Sequence, residues 1–548
     1  MKNSNIIIKI IIPLILAIFF FLIASFSIQD KTITTDEDCH MVRGIMLLET
    51  GDYRLNQHHP ILANVLHAIP AVFNPDLETP DLESEKWQEA KKDAIAWNLV
   101  DINGGHIDFS QNILYNSRLV NIVMSSIFLF IFYHVILKLF GTIPAISAST
   151  LMTLSPTFIA HSSLVTTDTP VTIFIFLSSI PVVFFIKYYK NIKHRNIALG
   201  LFILLSFLAL ITKYTALIPF LICTLVILIY SFVRERNLKY PTILLLIILL
   251  STFLLSFASY GFRTDTLKAS AYEHQPTIQD DYNHIGYLPT EPLNIQGFVK
   301  NTYENVPLPM PEYIRGFYEN VFKHNLYGHT TYFIGDFSAD GHILYFPTAF
   351  LIKEPIPIVI LTITSLFLSA IYLCRYRKIK PEYLVLILVP ITLTVFSLKS
   401  DLNLGIRHIL PIYPFIFLLV GITIQWIYNN HRILFNYAII PLIALTLLSV
   451  LQAFPHYIEY FNEFIGDKQN AYKYLRDSNL DWGQNRYLVQ RYTEENPEED
   501  YKIIRVESMF QNPAHISKEM QDFQDRYHEG DLEVLDYISN THWVIEKD

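Results

Sequence analysis

Three carboxylates follow the first long apolar run of the chain. Residues 10–28 are almost all apolar, and Asp36, Glu37 and Asp38 come a few residues later. A carboxylate at the edge of an apolar layer can take a proton from a hydroxyl group, as a general base does. Asp36 and Asp38 also offer the hard oxygen ligands that a divalent cation prefers. A solvated acidic loop has the same spacing, so the residues alone leave all three interpretations open.

A histidine and a fourth acid stand at the starts of other apolar runs. His59 comes directly before Pro60, and Asp168 lies in the short segment TTDTP, residues 166–170. Proline suits the first turn of a helix and aspartate suits the N-cap, so helix initiation explains both positions. His59 is either the N-cap of the helix that follows or a donor that faces a ligand. Asp168 would lie close to Asp36 if the apolar helices form a bundle, which makes it a second candidate acid.

Basic residues stand at the ends of several apolar runs, at Arg118, Lys213, Lys353 and Arg407. Lysine and arginine pair well with phosphate oxygens, so these side chains are candidates to bind the phosphate of a lipid. Snorkelling of the same side chains to ordinary headgroups is the alternative.

The C-terminal tail carries polar groups around a tryptophan. Asp481, Trp482 and Gln484 belong to the sequence DSNLDWGQ, residues 477–484. Carboxylate and amide groups beside an indole ring form a plausible sugar-binding surface. A structured turn ahead of a helix explains the same residues about as well.

Membrane helices must position all of these residues, because the composition is too apolar for a soluble chain. Hydrophobic residues make up 51% of the 548 residues and charged residues only 17%, whereas a soluble domain has about 25% charged residues. Runs near the roughly 20 residues that cross a bilayer recur along the chain. We predict about eleven transmembrane helices, at 6–28, 117–137, 142–160, 170–186, 196–213, 216–233, 241–260, 356–374, 382–398, 408–428 and 433–453. The shorter apolar segments 60–73 and 343–352 are predicted to lie in the membrane interface.

The charges of the short connections orient these helices. Lysine and arginine are concentrated in five connections, near residues 138, 187–195, 234–239, 375–380 and 432. Such a bias marks the cytoplasmic side, so we predict a cytoplasmic N-terminus and, from the odd helix count, an extracytoplasmic C-terminus. The predicted domains are a transmembrane domain, 1–453, with extracytoplasmic loops 29–116 and 261–355, and a small extracytoplasmic α+β domain, 454–548.

Net charge, cysteine content and the lack of acids within the predicted spans each disfavour a class of protein or site. The net charge of −9 disfavours a nucleic-acid partner. Cys39, Cys223 and Cys374 lie far apart and indicate no disulfide framework. None of the predicted spans carries an acid near its centre, which disfavours a proton- or ion-coupled transporter.

The motifs together resemble the C-type membrane glycosyltransferases, and most closely glycosyltransferase family 39. That family includes protein O-mannosyltransferases and bacterial lipid-carrier-dependent sugar transferases such as the aminoarabinose transferase of lipid A. The resemblance rests on segments spread in the family's order over nearly the whole chain: TTDEDCHMVRGIMLLETGDYRLNQHHPIL, SRLV, TTDTP, FLIKEPIPI, GIRHILPIYPF and YFNEFIGDKQNAYKYLRDSNLDWGQNRYL. Ile61 and Asn64 depart from the family's H-P-P-L-x-K motif, where a proline and a lysine are usual.

The resemblance implies a helix bundle with interfacial helices around an extracytoplasmic active site, and a sugar donor linked to a polyprenyl phosphate or diphosphate. It implies that Asp36 is the catalytic carboxylate, with Glu37 beside it, and that His59 belongs to the H-P motif. It also implies that Arg118 lies near the lipid phosphate and that Asp168 is the acid of the second extracytoplasmic loop. Lys353 and Arg407 are further candidates for the phosphate contact, and a bacterial inner or plasma membrane is favoured.

The leading hypothesis is an inverting glycosyltransferase that moves a hexose or pentose to a protein serine or threonine, a lipid A-type lipid or a glycan. Whether a divalent cation takes part is open. A flippase or transporter for lipid-linked sugars is the alternative, and a non-catalytic partner protein is a third interpretation. The flippase would require polar groups at mid-membrane depth and would not need a large extracytoplasmic tail.

Overall fold

Ten helices are long and apolar enough to cross a membrane in the part of the chain that the structure describes. The structure is a computed structural model, and the residues that it describes are 6–56, 58–268, 301–318, 320, 331–338, 340–376, 379–495 and 497, with the strands 501–505, 535–537 and 543–547. An eleventh crossing results if Thr142–Thr153 and Pro156–Ser162, which meet at a bend of 63°, count as one span. The predicted polytopic helical fold is confirmed, and the predicted span 142–160 is observed as this bent pair.

The elements are numbered in chain order. The α-helices are α1 (Ile12–Ser27), α2 (Glu37–Thr50), α3 (Ile61–Val72), α4 (Glu85–Gln88), α5 (Lys92–Ile102), α6 (Gly105–Phe109), α7 (Tyr115–Phe140), α8 (Thr142–Thr153), α9 (Pro156–Ser162), α10 (Asp168–Lys187), α11 (Ile192–Leu210), α12 (Leu217–Glu235), α13 (Lys239–Ser259), α14 (Pro311–Tyr318), α15 (Tyr345–Lys353), α16 (Ile356–Tyr376), α17 (Val385–Leu398), α18 (Tyr413–Asn430), α19 (Arg432–Leu434), α20 (Ile440–Ala453) and α21 (Arg486–Glu495). Short 3-10 segments include Tyr214–Ala216, Ile406–Ile412, Glu463–Ile465, Lys468–Lys473 and Asp477–Asn479. The strands are β1 (Thr264–Asp265), β2 (Leu308–Pro309), β3 (Thr331–Phe333), β4 (Asp336–Ser338), β5 (Tyr501–Arg505), β6 (Leu535–Tyr537) and β7 (Trp543–Lys547).

Helix α10 is the most enclosed of the ten long apolar helices, and 83% of its most apolar stretch is buried. Its Phe176 packs against Phe128 and Phe132 of α7 and against Phe415 of α18, with ring centroids 5.9, 5.0 and 5.2 Å apart. Such edge-to-face aromatic pairs add to the gain from burial. Because Asp168 is the first residue of α10, this packing places its carboxylate at the centre of one end of the bundle.

Helices α2 and α3 pack against each other at a glycine. A Cβ atom at Gly44 of α2 would collide with the main-chain oxygen of Asn64 and with Ala68 in α3. Since Asp36 is the N-cap residue of α2, this close approach fixes where Asp36 lies relative to the bundle. The two predicted interfacial segments are both observed as helices, namely α3 and α15.

The first part of the tail packs onto the segment that follows α1. The main-chain N–H of Thr32 donates to Gln484 O over 2.9 Å, and that of Thr35 donates to Trp482 O over 3.0 Å. Farther along, β5, β7 and β6 form an antiparallel sheet in that order. The tail therefore combines helix and sheet, as expected for an α+β segment, while the domain boundary at 453 stays a prediction.

Candidate active site

Two carboxylates from different parts of the chain converge on one arginine. The Arg407 Nη1 atom lies 2.8 Å from Asp36 Oδ2 and 3.8 Å from Asp168 Oδ2. Asp36 stands at the start of α2, Asp168 at the start of α10, and Arg407 in the 3-10 segment that leads into α18. The closeness of Asp36 and Asp168 that bundling of the helices requires is observed.

A lysine completes the charge balance of this cluster. Lys213 Nζ lies 2.5 Å from Asp168 Oδ1. Asp168 is the first helical residue rather than the N-cap, which is Thr167, so the N-cap interpretation of Asp168 is wrong and its carboxylate serves the ion pair. The four groups Asp36, Asp168, Arg407 and Lys213 carry no net charge together.

The two acids differ in their access to solvent. The side chain of Asp36 is 42% exposed and that of Asp168 only 4%. A substrate hydroxyl can therefore reach Asp36, whereas Asp168 is held by its cations.

The charge of Asp36 is maintained by Arg407. Burial opposes ionisation of Asp36, but the Arg407 guanidinium outweighs it and lowers the pKa of that carboxyl below its ordinary value. Asp36 is thus an unprotonated carboxylate at neutral pH, which is the state that a general base needs.

Trp482 lies against Arg407 and joins the tail to the site. The Arg407 Cζ atom is 4.1 Å from the centroid of the Trp482 ring, within the range of a cation–π contact. The main-chain oxygen of Trp482 accepts hydrogen bonds from both the N–H and the hydroxyl of Thr35, next to Asp36 in sequence. Of the predicted tail residues, Trp482 is the one that the structure brings to the acidic cluster.

Asp481 and Gln484 close the turn around that tryptophan. Asp481 accepts from Gly483 N over 2.8 Å and from Asn485 Nδ2 over 2.9 Å. Gln484 Oε1 accepts from Trp482 N over 2.6 Å, and its Nε2 donates to Glu459 Oε1 over 2.8 Å. Both side chains are buried, and these contacts build the turn that presents Trp482.

Glu37 and Arg118 form a buried pair away from Arg407. Arg118 donates through Nε to Glu37 Oε1 over 2.9 Å and through Nη2 to Glu37 Oε2 over 2.5 Å. Its Nη1 and Nη2 atoms also donate to the main-chain oxygens of Lys31 and Thr32, each over 2.7 Å. The side chain of Arg118 is 1% exposed and that of Glu37 is fully buried. Because both side chains are buried and paired with each other, neither presents its charged group to a ligand in this arrangement. Their roles in phosphate binding and catalysis stay predictions.

Lys353 is also buried, under the tail. Its Nζ atom donates to the main-chain oxygens of Ile458 and Asn479 over 2.6 and 2.7 Å. Burial lowers the pKa of Lys353 to about 7. The structure thus connects Lys353 to the tail, and does not bring it to the cluster around Arg407.

His59 stacks on a histidine that the sequence analysis did not single out. The rings of His40 and His59 have centroids 5.2 Å apart and an interplanar angle of 28°. His40 Nδ1 lies 2.8 Å from Asn64 Oδ1, so the asparagine that replaces the family's lysine orients this histidine. Burial lowers the pKa of His40 to about 4 and that of His59 well below its ordinary value, which keeps both rings neutral. The N-cap of α3 is Pro60, so the N-cap interpretation of His59 is wrong.

His40 is the site residue that the sequence analysis did not single out, and Lys213 was predicted only as a ligand for a lipid phosphate and not as the partner of Asp168. Lys213 was recognisable as a base at a helix end, but its partner Asp168 lies 45 residues away. Within the described residues, no group of three or more His, Cys, Asp and Glu side chains could hold a metal ion.

Comparisons with known proteins complete this description. No family model matches the chain, and no curated protein matches it. Among solved structures, it is similar to ArnT from Cupriavidus metallidurans bound to undecaprenyl phosphate, with 12% identity over 97% of both chains and a TM-score of 0.46. It is also similar to the oligosaccharyltransferase of Archaeoglobus fulgidus, with 12% identity, 96% of this chain and a TM-score of 0.47, and the match spans 60% of the archaeal chain. Because the identities are near 12% and the TM-scores are below 0.5, the function proposed next rests on this chain's own residues.

Proposed function

We propose that the protein is an inverting glycosyltransferase, which moves a sugar from a polyprenyl-phosphate-linked donor to a hydroxyl group of a protein, lipid or glycan. The observation that carries the proposal is the pairing of the half-exposed carboxylate of Asp36 with the Arg407 guanidinium, 2.8 Å away, at one end of a membrane helix bundle. A base for the acceptor and a cation for the donor phosphate thus lie side by side where lipid and water meet.

The donor phosphate binds to Arg407 and Lys213 in this proposal. Both are basic groups at helix ends with small exposed fractions, 10% for the side chain of Arg407 and 15% for that of Lys213. A phosphate oxygen on Arg407 competes with Asp36 for the same guanidinium. Binding of the donor therefore withdraws the cation that lowers the pKa of Asp36, so the carboxylate becomes a stronger base once the donor is in place.

The transfer step is a single displacement. Asp36 takes the proton of the acceptor hydroxyl while the hydroxyl oxygen forms a bond to the anomeric carbon. The bond from that carbon to the phosphate oxygen breaks, and the lipid phosphate leaves with the electron pair. Arg407 and Lys213 stabilise the charge that develops on the phosphate. Attack on the face opposite the leaving group inverts the anomeric configuration, with an oxocarbenium-like transition state.

No divalent cation is needed for this arrangement. Asp36 and Asp168 already contact Arg407 and Lys213, so a metal ion at these carboxylates would have to compete with two fixed cations. The cationic side chains supply the charge stabilisation that a metal ion provides in other transferases.

The loop charges favour an extracytoplasmic location for the cluster, and the resemblance of the tail motif favours a bacterial inner membrane. We propose a cytoplasmic N-terminus and an extracytoplasmic tail on that basis. A reporter that is active only outside the cytoplasm, fused after residue 548, is expected to be active.

Deletion of the gene identifies the product. Mass spectrometry of total lipid and glycoprotein should show loss of one glycosylated species, and the purified chain should restore it when supplied with a polyprenyl-phosphate sugar. Intact glycosylation in the deletion strain, together with no transfer by the purified protein from any such donor, would exclude the proposal.

A further inference from the structure

The segment Asp477–Asn479 of the tail forms hydrogen bonds with the main chain next to Arg407. Asn479 Oδ1 accepts a hydrogen bond from the N–H of Ile406 over 3.0 Å. Ile406 is the residue before Arg407, so this bond fixes the peptide from which the guanidinium extends. Asn479 is fully buried, so the bond is shielded from competition by bulk water.

A second contact holds the same loop two residues before Ile406. The hydroxyl of Ser478 donates to the main-chain oxygen of Leu404 over 2.7 Å. A Cβ atom at Gly405 would collide with that hydroxyl. The loop from Leu404 to Ile406 therefore lies directly on the tail, and glycine at 405 permits the close approach.

Asn479 is itself held from the other side. Its Nδ2 atom donates to Tyr345 Oη and to Arg476 O, both over 2.8 Å. Its main-chain oxygen accepts from Lys353 Nζ over 2.7 Å, and that ammonium lies 4.2 Å from the ring centroid of Phe461. Both polar atoms of the Asn479 side chain are thus hydrogen-bonded. Lys353, the last residue of α15, connects that helix to the main chain of Asn479.

We propose that Asn479 is a positioning residue for Arg407, and that Lys353 supports it by holding the tail in place. The proposal rests on the role given above to Arg407 in binding the donor phosphate. Asn479 does not contact the substrate. It sets the place of the Arg407 guanidinium between Asp36 and the face of Trp482, and so sets the affinity for the lipid phosphate.

Two readouts on the purified full-length chain test this proposal. The first is the affinity for undecaprenyl phosphate, titrated in detergent. The second needs no ligand and measures quenching of Trp482 by acrylamide, taken as the difference between each variant and its Trp482→Phe counterpart. The variants are Asn479→Leu, Arg407→Ala and the double substitution. Asn462→Leu is the matched control, because Asn462 is equally buried in the tail and bonds the main-chain oxygens of Leu351 and Glu354 instead of the Arg407 loop.

Asn479→Leu and Arg407→Ala should each weaken binding of undecaprenyl phosphate, by roughly tenfold to a hundredfold, as expected for loss of one charge-assisted hydrogen bond. The double variant should bind no worse than Arg407→Ala, because both changes remove the same contact. Both single variants should expose Trp482 to quenching. Asn462→Leu should lower the melting temperature while leaving the affinity and the quenching of Trp482 near those of the wild type.

Additive losses in the double variant, or an unchanged affinity in a folded Asn479→Leu protein, would overturn the positioning role. If Asn479→Leu does not fold, Lys353→Met takes its place, since it removes the support of Asn479 with a side chain of similar length, and the same outcomes decide. If the wild type itself does not bind undecaprenyl phosphate, the proposed donor class is overturned. The quenching of Trp482 then still decides whether Asn479 positions Arg407.

Discussion

Asp36 and Arg407 are 371 residues apart in the chain, yet their side chains meet at 2.8 Å. The contact requires the start of α2, the 3-10 segment before α18 and the tail that carries Trp482 to come together. It therefore forms only when the whole bundle is folded. This single ion pair places the proposed base beside the proposed phosphate ligand.

Replacement of the proposed base should stop transfer without loss of the donor. Asp36→Asn keeps the shape of the side chain and removes its basicity, so turnover should fall by about 10²–10⁴-fold, the usual cost of losing general-base catalysis. Binding of undecaprenyl phosphate should be unchanged or tighter, because Arg407 loses a competing carboxylate. Near-normal turnover of Asp36→Asn in a purified assay would falsify the assignment of the base, and Asp168 would be the next candidate.

Arg118 should matter for folding and not for the donor. Its partner Glu37 is fully buried, and removal of one member of a buried pair typically costs about 3–5 kcal/mol because a charge remains unpaired. Arg118→Ala should therefore give little folded protein, as measured by thermal unfolding in detergent. Arg54→Ala is the control, since the Arg54–Asp52 pair is partly exposed and its loss should be small. A stable Arg118→Ala protein with weak donor binding would instead restore Arg118 to the phosphate site.

Arg118 and Lys213 show how much of the candidate site could be predicted from the sequence. Hydropathy predicts the spans because its signal lies within one segment, and the acid after α1 is likewise local. Arg118 and Lys213 both look like basic helix ends in sequence. Whether such a group faces a buried Glu37 or an open cluster depends on packing between distant segments, which no local pattern encodes. The bend between α8 and α9 was missed for a related reason, since hydropathy does not report direction.

The pH dependence of the reaction should report the Asp36–Arg407 contact. Arg407 lowers the pKa of Asp36, so the acidic limb of kcat/KM, which reflects the free enzyme, should lie below the ordinary range of an aspartate. Loss of the guanidinium in Arg407→Gln removes this effect and leaves burial, which raises the pKa, so the acidic limb of the residual activity should move to higher pH. The profile is measured from initial rates at low donor concentration. A limb that stays in place or moves to lower pH would contradict the contact.

Chelation of metal ions should leave the activity intact. The two carboxylates at the site are already paired with Arg407 and Lys213, so the proposed step has no role for a divalent cation. Transfer by the purified protein should be the same in excess EDTA as in the presence of Mg²⁺ or Mn²⁺. The comparison uses protein that has been dialysed against the chelator. A loss of turnover in EDTA that Mn²⁺ reverses would show that Asp36 or Asp168 ligates a metal ion.

Lys213 should contribute to stability and to donor binding in separable ways. Its ammonium lies 2.5 Å from Asp168 Oδ1, and Arg407 Nη1 lies 3.8 Å from Oδ2 of the same acid. Among the described residues, Lys213→Met leaves the buried Asp168 with the longer ion pair to Arg407, so the protein should become less stable, and Arg407 should be drawn away from Asp36. Adding Asp168→Asn removes the unpaired charge and should recover most of the lost melting temperature. It cannot restore the missing ammonium, so the double variant should still bind undecaprenyl phosphate more weakly than the wild type does. If the second substitution restores the affinity together with the stability, Lys213 acts only through Asp168, and Arg407 alone binds the donor phosphate.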